Sequence, residues 1–295
     1  MTRIHPTAVV DPRAELGRDV EIGPYCCIGP GVILGDSCRL VAHVTLSGPS
    51  EFGQNNIFYP FVALGEGPQD LKYKGGPTRL VIGSHNVFRE HVTAHRGTEV
   101  DRQSGGVTRI GDHNLFMIGV HIAHDAEIGN HVILSNYVQV AGHVRIEDQV
   151  AVGGVTGLHH FVTIGRLAFV AGMTRVGHDV PPYMKVCGYE QAVRGVNVEG
   201  LRRWGIAEPS IEAIKAAGRL LYGPRGPGSP ATLAEALGQI EANGLVDDEH
   251  VRYLVQFVRQ RLDGAVFGRA REMRRSDTPQ DRAHFYRFGQ PEERR

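Results

Sequence analysis

The stretch MIGVHIAHDAEIGNHVILSNYVQVAGHVRIEDQVAVGG, residues 117–154, holds four histidines among glycines and branched aliphatics, and two more follow at His159 and His160. Imidazoles at this density suit three chemistries: ligation of a metal, proton transfer near neutral pH, or hydrogen bonding to a bound ligand. His124 stands apart because Asp125 follows it directly. A carboxylate beside an imidazole fixes its tautomer and stabilises its charged form, which is how a general base is paired with an orienting group.

Whether these residues meet depends on the elements that carry them. Aliphatic or aromatic residues recur every sixth position, through Ile4, Val10, Leu16, Ile22, Ile28, Leu34 and onward to Leu64. The series returns at Ile82, Phe88 and Ala94, then shifts by four and runs unbroken from Ile110 to Val176. Six fits neither the 3.6 period of an amphipathic helix nor a long alternating strand. It fits a short strand and a turn, repeated, with three units closing one coil of a triangular prism: a hexapeptide parallel β-helix. The aliphatic residue points to the axis, and a glycine or small polar residue is expected at the corner. Hexapeptide proteins of this type are left-handed, against the usual crossover rule.

Two polar, Gly/Pro-rich stretches, 66–81 and 96–108, break the period and read as loops extruded from corners. Loops on a rigid scaffold often carry function. The prism is expected over 1–186. Beyond Pro181-Pro182 the pattern turns helical, with Ile211, Ile214, Ala217 and Leu221 on one face, which predicts a small α-helical domain over 187–270. The stretch 271–295 is polar and charged, and is expected to be poorly ordered.

In this register residues 18 apart stack, with coils about 4.8 Å apart. His124, Gly142 and His160 therefore share a column. His143 lies one place beyond Gly142, His159 one place before His160, and His121 at the corner before His124. The metal-binding hexapeptide enzymes, the gamma-class carbonic anhydrases, use an H-x4-H pair plus a third histidine. The pair here is H-x2-H, so no metal is assigned, although three imidazoles at one corner leave that chemistry open. Any single one of these histidines can equally be a hydrogen-bonded corner residue.

The bulk composition excludes several classes. Formal net charge is zero, which gives no global pull toward nucleic acid or an anionic membrane. No apolar run approaches the roughly 18 residues of a membrane span, and the charged start lacks an apolar signal core. Cys26, Cys27, Cys38 and Cys187 form no C-x-x-C pair and read as reduced thiols of a cytoplasmic protein. The 38 glycines of 295 residues, about twice the usual share, suit a fold of many turns.

The segments QDLKY, HRGT, HIAHD, AGHV, DVPPY and GVNVEGLRR occur in this order across the hexad blocks and the helical tail. Together they resemble the UDP-N-acetylglucosamine acyltransferase family over about residues 1–265. The resemblance implies a cytoplasmic homotrimer with sites between subunits. It implies transfer of a (3R)-3-hydroxyacyl chain from acyl carrier protein to the glucosamine 3-hydroxyl of UDP-N-acetylglucosamine, the first step of lipid A biosynthesis. No cofactor is implied, since the donor brings its acyl group on the carrier's phosphopantetheine.

By the same resemblance His124 is the general base, Asp125 its orienting group, and the Gly142 N–H the oxyanion donor. Asp70 and Lys72 are implied to reach a neighbouring subunit's cleft. His121, His143 and His159, with His95, are implied to line the sugar and acyl pocket. Asn197, Glu199 and Arg203 are implied to hold the nucleotide. His160 stands where the family commonly has glutamine, and Glu190 where it often has histidine. Gly172 falls where the family sets acyl length, and a glycine there implies an open groove for about C12–C16. The alternatives are a variant that acylates a 3-amino group, the sister N-acyltransferase, a CoA-dependent acetyltransferase, and a β-helix without catalysis. The cluster Arg202, Arg203, Lys215 and Arg219 is a candidate dock for the acidic carrier.

Overall fold

The structure, a computed structural model, describes residues 1–99, 104–224, 229–263 and 268–274. Short strands, most of two residues, pair in parallel into three sheets of eleven, nine and eight strands. Every third strand is a neighbour, and the register is eighteen residues: His121 pairs with Gln139, and Gln139 with Gly157. The chain is a left-handed parallel β-helix followed by helices.

The axis is filled by two residues per hexad, not one. The coil that begins at Val120 buries Val120, Ile122, Ala126, Ile128, Val132 and Leu134. A second inward series thus lies two places before the first and includes Cys26 and Cys38. Phe58, Phe88 and Phe116 stack along the axis with ring centres 5.2 and 5.0 Å apart. Buried Asn56, Asn86 and Asn114 pass hydrogen bonds from coil to coil, so no amide in that column goes without a partner.

The expectation of a glycine or small polar residue at the corner holds only in part. Asp125 at φ 59° fits it, but along the same edge the left-handed position is taken by His143 at 61° and Phe161 at 65°. These side chains lie in columns, and ring stacking between coils offsets the backbone cost. The glycines sit just after the aliphatic residue for another reason. A Cβ on Gly35 would lie 2.6 Å from the backbone carbon of Gly53 in the next coil.

Both extruded loops leave the same edge. The first departs at strand Ala63–Glu66 and the ladder resumes at Arg79–Ile82. The second departs at Thr93–His95 and the ladder resumes at Val107–Ile110. Past the prism, strand Met184–Cys187 pairs antiparallel with Ala192–Val196, so the sheet runs ten residues beyond the expected boundary at 186. The helices are α1 (Val198–Arg203), α2 (Glu208–Tyr222), α3 (Leu233–Ala242) and α4 (Glu249–Asp263). Ile211, Ile214, Ala217 and Leu221 of α2 are buried together with Leu254 and Val258 of α4. Tyr253 ties α4 to the prism: its hydroxyl donates to Glu147 at 2.7 Å, and the Arg166 guanidinium lies 3.8 Å over its ring. Of the polar tail, Arg271–Arg274 continue a 3-10 turn that starts at Arg269, and 275–295 lie outside the described residues.

Candidate active site

The edge beneath the two loops collects the histidines. His124 Nδ1 meets Asp125 Oδ2 at 2.9 Å. A carboxylate only accepts, so Nδ1 carries the proton and Nε2 presents its lone pair outward. Asp125 is held from several sides. Its carboxylate accepts the Thr98 N–H at 2.9 Å, the Thr98 hydroxyl at 2.7 Å and the Ser104 hydroxyl at 2.6 Å. Its own N–H donates to Thr108 Oγ1 at 2.8 Å. Burial alone would raise the Asp125 pKa, but His124, the nearby His143, Ser104 and Thr98 outweigh it and hold the carboxyl below its usual range. A fixed anion therefore stands behind His124.

Gly142 lies one coil away under the His124 ring. A Cβ there would be 2.6 Å from His124 Cε1 and 2.8 Å from Nε2, so only glycine leaves the ring its place. The Gly142 N–H has no hydrogen-bond partner among the described residues, while the next N–H along, that of His143, donates to the His124 carbonyl at 3.1 Å. An imidazole nitrogen and an uncommitted peptide N–H thus share one edge, as a base and an oxyanion donor must. The His143 ring crosses that of His124 at 5.1 Å and stacks on Phe161 at 4.4 Å.

The remaining predicted residues fall in three places. Near His124 lie His121, whose Nδ1 meets Thr93 Oγ1 at 2.9 Å, and His95, whose ring meets that of His121 edge-on at 5.2 Å. His121 opens strand His121–Ile122 on the flat face, which corrects its expected place at a corner. Burial pushes His121 down to about 4 and lowers His95 as well, so both rings are neutral at pH 7. Asp70 Oδ2 lies 3.8 Å from His124 Nε2 and the same distance from the Lys72 ammonium. An Asx turn, in which Asp70 Oδ1 accepts the Lys72 N–H, sets QDLKY beside its own chain's His124.

A second group lies along the adjoining face. An open groove of about 400 Å³ there is lined by His121, Ala123, Gln139, Ala141, Gly157, His159 and Arg175, among others. His159 and His160 are in contact, ring centres 3.9 Å apart. Gly172 sits in the turn before strand Arg175–Val176, at the far edge of this face, where a Cβ would be 3.2 Å from the Gly154 carbonyl oxygen. Glu190 is exposed at the tip of the last hairpin, beside Tyr189, whose ring lies 5.2 Å from the Arg175 guanidinium.

The third group is elsewhere. Asn197 caps α1: its side chain accepts the Gly200 N–H and donates to the Leu167 carbonyl at 2.9 Å. Just past α1, Trp204 meets His131 at 5.1 Å. Leu167 and His131 belong to a different corner column from His124, so Glu199 and Arg203, both exposed on α1, are a prism face away from the base. Within one chain these residues do not join the His124 site.

Sequence reasoning missed Thr98, Ser104 and Phe161. Thr98 ends HRGT, a motif already singled out for His95, and Phe161 falls in the column of Asp125 and His143. Ser104 carries no periodic signal. Among the described residues two sets of possible ligand atoms lie within 4.8 Å of one another: His124, Asp125 and His143; and His159, His160 and Glu272. In the first, Asp125 is already committed to two hydroxyls, an amide and His124.

Known proteins place this geometry in context. Residues 179–266 match the model for domain 2 of UDP N-acetylglucosamine O-acyltransferase, and 1–36, 13–48 and 108–142 match the bacterial transferase hexapeptide model. The acyl-[acyl-carrier-protein]–UDP-N-acetylglucosamine O-acyltransferase of Saccharophagus degradans is 47% identical over 222 residues, 75% of this chain and 85% of that one. The enzyme of the same name from Paraburkholderia phymatum is 41% identical over 90% of this chain and its own full length. Among solved structures, LpxA of Acinetobacter baumannii superposes with a TM-score of 0.81 at 40% identity, covering 90% of this chain and 98% of that one. The UDP-N-acetylglucosamine acyltransferase of Bacteroides fragilis gives 0.81 at 37% identity, covering 87% and 96%.

Proposed function

The chain belongs to the UDP-N-acetylglucosamine O-acyltransferase family, and on that premise we propose that it moves a (3R)-3-hydroxyacyl group from acyl carrier protein to the 3-hydroxyl of UDP-N-acetylglucosamine. The observation that carries the mechanism is His124 lying between the Asp125 carboxylate and the bare peptide of Gly142. His124 Nε2 takes the proton of the sugar 3-hydroxyl as that oxygen attacks the thioester carbonyl. The carbonyl oxygen gains charge, and the Gly142 N–H stabilises it. Collapse expels the carrier's thiolate, which takes back the proton from His124. Asp125 stays ionised throughout and stabilises the imidazolium. The sugar oxygen attacks directly, so no acyl-enzyme forms, and the reading needs neither metal nor cofactor.

The acyl chain is assigned to the groove from His121 and Ala123 to His159 and Arg175, with Gly172 in the turn that leads into its last strand, Arg175–Val176. Asp70, Lys72, His95 and His143 are assigned to the sugar end, beside His124. Asn197, Glu199 and Arg203 belong to the nucleotide subsite of another copy's His124, which is the reason to propose a homotrimer. The carrier is expected at Arg202, Arg203, Lys215 and Arg219, although Arg202 is paired with Glu208 and Lys215 with Glu212. No helix among the described residues is long and apolar enough to cross a membrane, and a cytoplasmic reaction is proposed.

The test is a chain-length series of 3-hydroxyacyl carrier proteins, assayed with UDP-N-acetylglucosamine and with its 3-amino analogue, before and after chelation. Ester formation on the 3-hydroxyl, peaking within about C12–C16 and unaffected by chelator, is expected. Amide formation as the preferred product would replace the acceptor assigned here. Activity lost to chelation and restored by zinc would replace the mechanism.

A further inference from the structure

Beyond the residues matched by the family model the chain turns back onto the site. The Arg269 N–H donates to the buried Asp179 carboxylate, at 2.9 and 3.2 Å to its two oxygens. Asp179 also accepts the Thr163 N–H at 2.7 Å, so the segment is anchored to the coil of His159, His160 and Phe161. Over this coil the Arg271 guanidinium lies 5.3 Å from the Phe161 ring centre. Glu272 meets His160 Nε2 at 2.5 Å and pairs through its other oxygen with Arg269.

His160 is in the column of His124 and Gly142, two coils from the base. Its ring lies against His159, and His159 is a wall of the groove. Burial first, and the Arg269 and Arg175 charges with it, lowers the His159 pKa, so a neutral ring borders the groove. An imidazole held by a carboxylate that is itself paired with an arginine loses rotamer freedom, and the ring packed on it loses freedom too. We propose that Glu272 is a positioning residue: by holding His160 it sets the His159 ring as the side wall of the acyl groove, and so tightens the grip on the acyl chain. Residues 268–274 are then part of the donor site, although they lie past the family match. This rests on the assignment of that groove to the acyl chain.

The experiment compares wild type, Glu272→Ala, Glu272→Gln and a chain ending at residue 267, with kinetics over the acyl-length series and ring NMR of His159 and His160. Loss of one charge-assisted hydrogen bond predicts that Glu272→Ala raises donor KM about tenfold, leaves kcat within about twofold, and blurs the preference between neighbouring chain lengths; the truncation, which also takes the Arg269 N–H from Asp179, raises donor KM at least as much. Glu272→Gln, which keeps a hydrogen bond, recovers part of the KM. In both losing variants the His160 ring signals shift, and the His159 signals follow. Wild type that transfers acyl groups while all three variants keep its KM and chain profile overturns the wall role alone. Unchanged His160 signals in Glu272→Ala overturn it too, without reference to turnover. Wild type that transfers no acyl group from any donor overturns the function, and the wall role with it.

Discussion

Replacing Gly142 by alanine puts a methyl group directly under the His124 ring. The three nearest atoms to the added Cβ all belong to that ring, at 2.6, 2.8 and 3.1 Å. Ordinary contact begins at 3.4 Å, so the ring must withdraw by roughly 0.8 Å. Withdrawal is opposed by Asp125, which holds Nδ1 at 2.9 Å and is itself fixed by Thr98 and Ser104. The ring therefore tilts at Nε2, the atom that must reach the sugar hydroxyl, and a misplacement near 1 Å costs on the order of 100-fold in rate. No positive φ is required at Gly142, so the variant should fold. We expect kcat to fall about 100-fold with acceptor KM within about threefold and the melting temperature within a few degrees. The assay is initial-rate kinetics at saturating donor, with circular dichroism as the folding control. A folded variant with kcat within about threefold of wild type refutes the placement of base and peptide on which the mechanism depends.

Asp125→Asn removes the anion behind His124 and should lower kcat by about 10²- to 10⁴-fold in steady-state assays. The lowered Asp125 pKa also predicts a stability term present above the unfolded carboxyl value near pH 4 and lost as pH falls through the folded value; acid unfolding of the Asn variant should lack it. His121, pushed down to about 4, should show no ring titration by NMR between pH 5 and 8. Because its folded pKa is depressed, its contribution to stability is complete above about pH 6.5 and declines as pH falls toward 4. Gly172→Met should shift the donor profile toward shorter chains, and an unchanged profile would count against that end of the groove as the stop.

The prism was legible because its period is set by geometry: a coil closes in eighteen residues wherever no loop intervenes, so the column of His124, Gly142 and His160 followed from counting. The second inward series was equally present in the sequence, but valine, alanine and cysteine made a weaker pattern than the larger aliphatics. What lay off the period was not legible. Thr98 and Ser104 reach Asp125 from an extruded loop, and the path of such a loop depends on its own turns and contacts. The approach of Asp70 to His124 is likewise set by a local Asx turn in an extruded loop, which no period encodes. The α1 residues could be grouped by motif, but their docking at another corner depends on Asn197 meeting the Leu167 carbonyl, a contact that no spacing encodes.

The central claim is that His124 takes the proton from the acceptor hydroxyl. The direct measurement is turnover of UDP-N-acetylglucosamine with a 3-hydroxyacyl carrier protein by wild type and His124→Ala, each checked for fold and assembly. Wild type should give ester product and the variant none above background, with assembly intact. A correctly folded variant that keeps more than a few per cent of the wild-type rate would contradict it.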